Sequence, residues 1–590
     1  MCIRDRFLDS LLSHGYLQKA LITSVIVGVA CGIVGSFIVL RGMALIGDAI
    51  SHAVLPGVAA SYLLGTNLFL GAVVAGLLAT LAIGLISERS TVKNDSAIGI
   101  VFSTFFAIGV LLMAKAQTAT DLTEILFGNV LTVQDADRNL SIGIAAAVLI
   151  LTLVFYKELK LSTFDPVMAQ SAGVPVRAIH YGLMVVLTLV TVISLQTVGV
   201  ILVVSLLITP ASAAYLLTNR LGVMIGLSVA ISALSSVVGL FLSYSYNVSS
   251  GVTIVLTASA LFLLAFLFAP GKGLIARSLG NKPLAALLAL LVGGALVFGA
   301  VTFSTEEKAD GEQLNVVTTF TLLADLVEEI GGEAVDVHNL VPTGTDPHDY
   351  DPLPADLDAT SDADLLFYNG LNLEGGEHGW LAKLKNTAGL DDSQMVEATK
   401  GVEPKYLKDE KGNQEINPHA FLDPTVGIAM AENVTAALAE ALPERAEHIE
   451  EKGAEYKAML ESIDADYREQ IGALPKEDRV LVASEHAFQY MVDTYGMEQL
   501  YIWQIDTDEN GSPAQIGHLV RQLKDKRPKH LFVESNVDTR PMKTVSKEAG
   551  IPIFDEPLHS DELGKPGTVA GTYEDFLRSN LKTMIAGLKR

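Results

Sequence analysis

The distribution of hydrophobic residues divides the chain into two unlike halves. Up to about residue 304, long apolar runs alternate with short polar loops, and runs of about 20 residues can cross the roughly 30 Å hydrocarbon core of a bilayer. The pattern predicts nine membrane-spanning helices, over 17–40, 43–64, 68–87, 95–114, 139–156, 179–197, 198–217, 222–243 and 249–268. A further run at 284–303 predicts a tenth span. The stretch 121–135 is too short and polar to cross, which predicts a re-entrant or interfacial segment.

The second half has a different pattern. After a polar linker at 305–313, strand-like and helix-like stretches alternate, which is typical of an α/β domain. Helical periodicity after Pro443 predicts one long helix over 444–473, between a lobe at 314–443 and a lobe at 474–590. The predicted fold class is an N-terminal all-α polytopic membrane bundle, followed by two Rossmann-like α/β lobes joined by one long helix.

Charge follows the same division. Residues 1–304 contain 15 Lys and Arg against 11 Asp and Glu, whereas residues 305–590 contain 26 against 55. This combination excludes a single soluble enzyme, a disordered chain and a nucleic-acid binder, because an acidic surface repels phosphate. Neither of the two cysteines, Cys2 and Cys31, lies in the second half, so disulfides and thiolate metal sites are excluded there.

The first sixteen residues are treated as a leader outside the fold. Its first six, MCIRDR, have the form of sequencing-adapter read-through, and we leave them out of fold reasoning.

Basic residues in short loops predict the orientation of the spans. The predicted cytoplasmic positions are Arg89, Lys93, the loop 157–178, Arg220, Lys272, Arg277 and Lys282. The region 271–313 then comprises a basic loop, the outward-running span 284–303 and a polar linker. This arrangement predicts that the α/β half lies outside the cell.

The stretch GDAISHAVLPG (47–57) contains an ionisable pair inside a predicted span. Asp48 and His52 are four residues apart, so they share one helix face. Ionisable groups within a membrane are costly and mark functional sites. A carboxylate and an imidazole can hold a divalent cation in transit, on a helix that Pro56 and Gly57 loosen. The alternative is a hydrogen-bonded pair that only packs helices.

The cytoplasmic stretch FDPVMAQSAGVP (164–175) predicts a short capped helix. Asp165 can cap a helix whose first residue is Pro166, and Gly173 with Pro175 can end it. Such a helix at the cytoplasmic face can dock a partner, or it can be an ordinary loop helix.

These two motifs resemble the permease family of ABC importers for manganese, zinc and iron, over about residues 17–270. The resemblance implies that 164–175 is the coupling helix that meets an ATPase. It also implies a homodimeric permease with the ion path between or within the subunits. The sequence has no G-x-x-x-x-G-K-[ST] motif to bind ATP phosphates, so the ATPase is expected to be a separate subunit.

Nine of the twelve histidines lie in the second half, and four loop positions there combine imidazoles with carboxylates. Open α/β sheets bind ligands in loops at strand ends. The positions are His348 in PTGTDPHDYDPLPAD (342–356), His419 in NPHAFLDP (417–424), Glu485 with His486 in VLVASEHAFQY (480–490), and Asp561 with His559 in LHSDELG (558–564). Such donors without sulfur suit Mn, Fe(II) or Zn. The alternative to a ligand role for the His348 stretch is a solvated acidic loop. A similar alternative applies to the stretch around His419.

The second half resembles the metal-binding proteins of the same importers, of the manganese-type lineage, over about residues 314–590. The motifs that carry the resemblance are TGTDPHDYDPLPAD, NPHAFLDP, YIWQIDTDENGSPAQI (501–516) and FVESNVDTRPMKTVSKEAGIPIF (532–554). It implies four ligands, His348, His419, Glu485 and Asp561, with His486 and His559 outside the coordination shell.

Two departures from the zinc-type pattern favour manganese as the transported ion. The stretch 406–417 contains no histidine, and Glu485 stands where a third histidine would be. Zinc and iron remain alternatives because the Irving–Williams order favours zinc at most such sites.

The sequence therefore predicts a multi-pass protein of the bacterial plasma membrane that takes up a divalent metal with high affinity, fused to its own binding domain. The span 284–303 would replace the lipid anchor of the usual binding protein. A membrane-anchored adhesin or sensor is an alternative, and cell adhesion is a label of this family. A metalloenzyme is a less favoured alternative, because the sequence shows no nucleophile motif. Artificial joining of two adjacent genes is a further alternative.

Overall fold

The computed structural model describes residues 11, 15–64, 66–116, 129–270, 272–274, 313–376, 379–408, 414–504 and 513–589. They form two compact units, a helical unit up to residue 274 and an α/β unit from residue 313. The predicted span 284–303, the linker residues 305–312 and most of the leader lie outside the described residues. Residues 121–128 of the predicted interfacial segment also lie outside them, and Val130–Thr132 form a 3₁₀ turn.

The first unit, which we call the membrane unit, is helical. Its described helices are α1 (Gly15–Leu40), α2 (Leu45–Ala53), α3 (Leu55–Leu63), α4 (Leu68–Arg89), α5 (Asn94–Ala116), α6 (Asp135–Val154), α7 (Tyr156–Phe164), α8 (Pro166–Ser171), α9 (Val176–Val198), α10 (Val200–Leu217), α11 (Leu221–Tyr246) and α12 (Ser250–Phe268). Among the described residues, eight helices are long and apolar enough to cross a membrane: α1, α4, α5, α6 and α9 to α12. The predicted membrane bundle is confirmed.

The predicted span over 43–64 is interrupted at Val54, close to the Pro56 and Gly57 that the sequence predicts would loosen its helix. The structure divides it at Val54 into α2 and α3, each of nine residues or about 14 Å. Pro56 lies in the first turn of α3, where its missing N–H removes a hydrogen bond of a continuous helix. Hydropathy detects the apolar run but not this break.

Helices α3 and α4 approach each other backbone to backbone. A Cβ atom added to Gly57 would lie 2.1 Å from the carbonyl oxygen of Gly71, and one added to Gly71 would lie 2.2 Å from that of Gly57. Small residues permit this close packing, which is typical of membrane helices.

Two polar contacts involve helix ends next to loops that the charge pattern assigns to the cytoplasmic side. Tyr181 donates a hydrogen bond of 3.2 Å to Glu88, and Lys272 Nζ donates one of 2.7 Å to the Tyr215 carbonyl. Each contact joins segments that the sequence predicts to share one face, so the helix arrangement agrees with that grouping.

The second unit, which we call the binding unit, alternates strands and helices. Its described elements are β1 (Leu314–Phe320), α13 (Thr321–Gly331), β2 (Val335–Val341), α14 (Pro354–Ser361), β3 (Leu365–Tyr368), α15 (Trp380–Ala388), β4 (Met395–Glu397), β5 (Tyr406–Lys408), β6 (Gln414–Ile416), α16 (Pro424–Ala441), α17 (Ala446–Gly472), β7 (Val480–Val482), α18 (Gln489–Thr494), β8 (Glu498–Leu500), α19 (Pro513–Lys526), α20 (Thr539–Ala549) and α21 (Tyr573–Leu588).

The first lobe has a parallel sheet in the order β2-β1-β3-β4. The central strands β1 and β3 bury Val316, Val317, Leu366 and Phe367. The chain leaves β1 toward β2 on one side, and β3 lies on the other. Sheets of this order bind ligands beyond the carboxyl ends of the strands.

The second lobe has a thinner sheet. Strand β7 pairs in parallel with β8, and isolated parallel bridges follow at Leu531–Ile553 and Glu534–Leu558. Helix α17 is 27 residues long, or about 40 Å, and buries one face that includes Ile449, Leu460 and Tyr467. The prediction of two α/β lobes and one long helix is confirmed.

Candidate metal site and permease motifs

The four predicted ligand positions of the binding unit converge at one place. His348 Nε2 lies 3.2 Å from His419 Nε2, which lies 2.9 Å from Asp561 Oδ1. The ligand atoms of these three residues all lie within 4.8 Å of one another. Glu485 Oε1 lies 3.7 Å from His419 Nε2. Each lobe contributes two of the four side chains.

Local structure positions the two histidines. The loop after β2 places His348, whose backbone N–H donates to Asp346 Oδ1 at 2.8 Å. His419 begins a 3₁₀ turn directly before α16. Asp423 then caps α16 through Thr425 N at 2.9 Å, with Pro424 as the first helical residue. The cap fixes where the turn that carries His419 ends.

Asn417 orients the His419 ring. Its Oδ1 accepts from the His419 backbone N–H at 3.1 Å and lies 3.0 Å from His419 Nδ1. Because the amide oxygen is an acceptor, Nδ1 carries the ring proton and the Nε2 lone pair faces the other ligands. The Asn417 amide donates to the His486 carbonyl at 2.9 Å, which joins the two lobes.

Neighbouring polar groups hold the Asp561 carboxylate and the backbone at Glu485. Asp561 Oδ2 accepts from Asn536 Nδ2 at 2.8 Å and from Ser560 Oγ at 2.6 Å, so Oδ1 faces the histidines. The buried Glu534 carboxylate accepts from the backbone N–H groups of Ser484 and Glu485 at 3.1 and 2.9 Å. Burial raises the pKa of Glu534, although the hydrogen bonds from these N–H groups act to lower it.

Burial and charge favour a cation at this position. His419 and Glu485 are fully buried, and Asp561 nearly so. Burial lowers the pKa of His419, although Asp561 opposes this, so the imidazole is neutral near pH 7. Closely spaced lone pairs in a dry pocket repel one another, and a divalent ion converts that repulsion into coordination.

The two adjacent histidines lie outside this group. His486 stacks on Tyr501 with ring centroids 4.1 Å apart, and burial lowers its pKa to about 4. His559 Nδ1 lies 3.2 Å from Ser535 Oγ. Both rings are therefore held by other neighbours.

Sequence reasoning missed the residues that orient the ligands. Asn417 and Ser560 lie within two residues of a ligand, and an asparagine two positions before a histidine in a turn was a usable signal. Asn536 and Glu534 are more than 20 residues from the ligands they contact, and no sequence pattern connects them.

The membrane unit places the second predicted pair on α2. Asp48 Oδ1 lies 3.9 Å from His52 Nε2, and both side chains are partly exposed. The His52 ring lies edge-on to Phe102 and Phe106, with centroids 5.5 and 5.8 Å away. The pair therefore shares one helix face, as the spacing predicts.

The stretch 164–175 forms the short capped helix that the sequence predicts. Asp165 accepts from Met168 N at 2.8 Å, Pro166 begins α8, and Gly173 adopts a left-handed φ of +82° after it. Val167 is 76% exposed and Met168 60%. This helix therefore presents apolar side chains on an exposed surface.

In the part of the chain that the structure describes, eight helices long and apolar enough to cross a membrane precede an α/β unit with a buried cluster of imidazoles and carboxylates, a combination typical of a permease fused to a solute-binding domain. The family model described as "ABC 3 transport family" matches residues 13–269, and the model described as "Zinc-uptake complex component A periplasmic" matches residues 316–587. The chain belongs to the ABC 3 transport family in its first half and to the zinc-uptake component A family in its second.

Two relatives, one for each half, support these assignments. The manganese transport system membrane protein MntC of Listeria innocua is 57% identical over 269 residues, which are 46% of this chain and 96% of the relative. The manganese ABC transporter substrate-binding lipoprotein PsaA of Streptococcus pneumoniae is 39% identical over 312 residues, which are 52% of this chain and all of the relative. The solved structure of PsaBC from Streptococcus pneumoniae in complex with Fab is 50% identical, with a TM-score of 0.43, and covers 47% of this chain and 99% of that one.

These families fix the class and the location of the protein. It is a multi-pass plasma-membrane protein whose second half is homologous to extracytoplasmic binding proteins. Both families are transport components, not enzymes.

Proposed function

We propose that this chain imports manganese as one component of an ABC importer in which a separate ATPase subunit hydrolyses ATP. The observation that carries the proposal is the convergence of His348, His419 and Asp561 within 4.8 Å, with Glu485 beside them. Two imidazoles and two carboxylates are donors that suit manganese. Relatives of both halves are named as manganese transport proteins, which supports the same ion.

Zinc is the second candidate, because the family model that matches the binding unit is described as a zinc-uptake component. Zinc also binds most nitrogen and oxygen sites more tightly than manganese. Iron(II) suits the same donors. The choice among them is a question of competition at the site, which an experiment can decide.

The four side chains are the proposed coordination shell. With Nδ1 of His419 donating to Asn417, Nε2 is the ligand atom, and Asp561 offers Oδ1 because its other oxygen is occupied. The ligands come from both lobes, so a bound ion would join them. Outer hydrogen bonds of this kind orient ligands and raise metal affinity.

In the membrane unit, Asp48 and His52 are the proposed ion path. One carboxylate and one imidazole are too few to replace a hydration shell, so a second copy of the chain would complete the path in a homodimer. The helix Pro166–Ser171, between Asp165 and Gly173, is the proposed contact with the ATPase. Its exposed Val167 and Met168 suit an apolar docking surface.

Metal analysis of the purified full chain tests the capture step. The protein is stripped of metal, exposed to equal Mn, Zn and Fe(II), and analysed by mass spectrometry. We expect one manganese per chain in the binding unit, lost in His348→Ala and kept in His448→Ala, a control at an exposed histidine of α17. Zinc or iron alone would change the proposed ion, and no stoichiometric metal would contradict the ligand set.

Uptake by cells separates an importer from an anchored sensor or adhesin. Asp48→Ala should abolish manganese uptake while the purified variant still binds metal. Gly173→Val should do the same, because a β-branched residue at φ +82° distorts the end of the coupling segment. Normal uptake by both variants would contradict an active permease path.

A further inference from the structure

Arg41 lies in the short connection between α1 and α2, outside the motifs discussed above. It is the residue directly after α1, in a Schellman turn in which Met43 N donates to Ile38 O at 3.0 Å and Gly42 N to Val39 O at 3.2 Å. Gly42 adopts the left-handed φ of +67° that this turn requires. The turn fixes where the Arg41 side chain leaves the backbone.

The guanidinium bonds to two hydroxyl groups at the end of α7. Arg41 Nη2 donates to Ser162 Oγ at 2.9 Å, and Nε donates to Thr163 Oγ1 at 3.2 Å. Each hydroxyl donates its own hydrogen to the Leu159 carbonyl, at 3.2 and 2.7 Å, so its lone pairs face the arginine. The fork of the guanidinium matches two adjacent acceptors in a way that a lysine cannot.

Among the residues that the structure describes, the Arg41 guanidinium has no carboxylate partner, and the side chains to which it donates are these neutral hydroxyls. Hydrogen bonds to hydroxyls hold geometry without the strength of a buried ion pair. Such a link can transmit a displacement and can also re-form after one.

The two ends of this link lead to the two motifs of the membrane unit. On one side, Arg41 is followed after three residues by α2, which carries Asp48 and His52. On the other side, Thr163 is two residues before Asp165, the cap of α8. The contact therefore joins the connection to the proposed ion path with the helix that leads into the proposed coupling segment, across 121 residues of sequence.

We propose that Arg41 is a positioning residue for energy coupling, which passes displacement of the coupling segment through α7 to α2. This inference rests on the proposed function, because it assigns a route between two sites of that function. Its physical content is a pair of hydrogen bonds between the α1–α2 connection and the short helix α7, either of which can shift only if the other follows or the bonds break.

The test measures manganese uptake and ATP hydrolysis together in liposomes that contain the full chain and its ATPase subunit. The readout is the number of ions transported per ATP hydrolysed. We expect Arg41→Ala to lower this ratio about fivefold or more. Arg41→Lys should lower it less, and Arg220→Ala, which removes an exposed arginine of the same face, should leave it unchanged.

A purely structural role would lower uptake and hydrolysis in the same proportion, since fewer active assemblies would remain. An unchanged ratio in Arg41→Ala would therefore overturn the proposal.

The double variant Ser162→Ala/Thr163→Ala tests the same bonds from the other end if Arg41→Ala does not fold. It should lower the ratio like Arg41→Ala, and the triple variant should lower it no further. Absence of uptake by the wild type would instead count against the proposed function.

Discussion

At the scale of single residues, the candidate site depends on polar groups that are not ligands. Asn417 fixes the tautomer of His419, while Asn536 and Ser560 occupy one oxygen of Asp561. Each interaction restricts a ligand to one donor atom before any ion arrives. The predicted ligand positions stand out in the sequence as imidazoles and carboxylates in loops, and the resemblance to metal-binding proteins selected four of them. Their supports depend on tertiary contacts that local sequence does not encode.

Asn417→Ala should weaken metal binding about 10- to 100-fold, because His419 loses the acceptor that orients it. Competition titration of the purified chain with a chelating dye measures the change. Asn433→Ala is the matched control, since the Asn433 amide likewise donates two hydrogen bonds, to the carbonyls of Ala398 and Lys400, but on α16 away from the site. Equal affinity in Asn417→Ala and wild type would show that the ring needs no such support.

Asp325 gives the binding unit a pH-dependent stability. Burial raises the pKa of the Asp325 carboxyl from an ordinary 3.8 to about 6. The negative charge of Glu329 also raises this pKa, whereas hydrogen bonds from Tyr573 N and Tyr456 act to lower it. The folded state therefore binds the proton more tightly than the unfolded state. The stability that this proton contributes is full below about pH 4 and is lost as pH rises through about 6.

Asp325→Asn should stabilise the metal-free binding unit by about 2 kcal/mol at pH 7.5, after allowance for partial exposure, and by almost nothing at pH 4. One carboxylate oxygen accepts from both Tyr573 N and Tyr456, at 2.9 and 3.3 Å, and an amide oxygen can replace it. Urea unfolding of residues 313–590 at the two pH values measures this. The exposed Asp336→Asn is the control, and an equal effect at both pH values would contradict the assignment.

At the scale of elements, sequence patterns predicted most helices and strands but not how the membrane helices are divided and packed. The strands LNVVTTF (314–320) and VDVHNLV (335–341) and the helix Ala446–Gly472 follow directly from hydrophobic periodicity. The break at Val54 did not, because hydropathy averages over the run and Pro56 is compatible with a kinked helix as well as with a new one. The close approach of Gly57 and Gly71 is a property of two helices together.

Gly57→Ala should destabilise the membrane unit, because the added methyl group would meet backbone atoms of Gly71 that no side-chain rotation can move. Overpacking costs about 1–3 kcal/mol in ordinary cores, and backbone neighbours place this site at the upper end. The melting temperature in detergent and the fraction of monodisperse protein measure the effect. Gly99→Ala in α5 has nothing within 4 Å of the new Cβ and should be neutral or stabilising. A similar fall in melting temperature in both variants would instead indicate that the membrane helices tolerate any such substitution poorly.

At the scale of the whole molecule, the sequence predicted the order of the two parts from charge and hydropathy alone. The apolar half has 15 basic and 11 acidic residues, and the acidic half has 26 basic and 55 acidic residues. Two halves that differ so much in hydropathy and charge cannot share one core. The family matches at 13–269 and 316–587 agree with that division. Separate relatives of each half are independent proteins, so the fusion adds one property that neither has alone: the two parts cannot diffuse apart.

The linker should therefore matter most when metal is scarce. A fully extended chain of the length of 304–314 spans about 35 Å at most, and a tether of that length corresponds to an effective concentration of about millimolar. A protease site introduced at 305–312 allows the linker to be cut in spheroplasts after expression. Cutting should slow manganese uptake severalfold when the metal is below the affinity of the binding unit. Cutting should have less effect in excess metal, because released binding units can bind the metal and diffuse back to the permease. The uncut variant and protease-treated wild type are controls, and unchanged uptake after complete cutting would show that handover does not require the covalent connection.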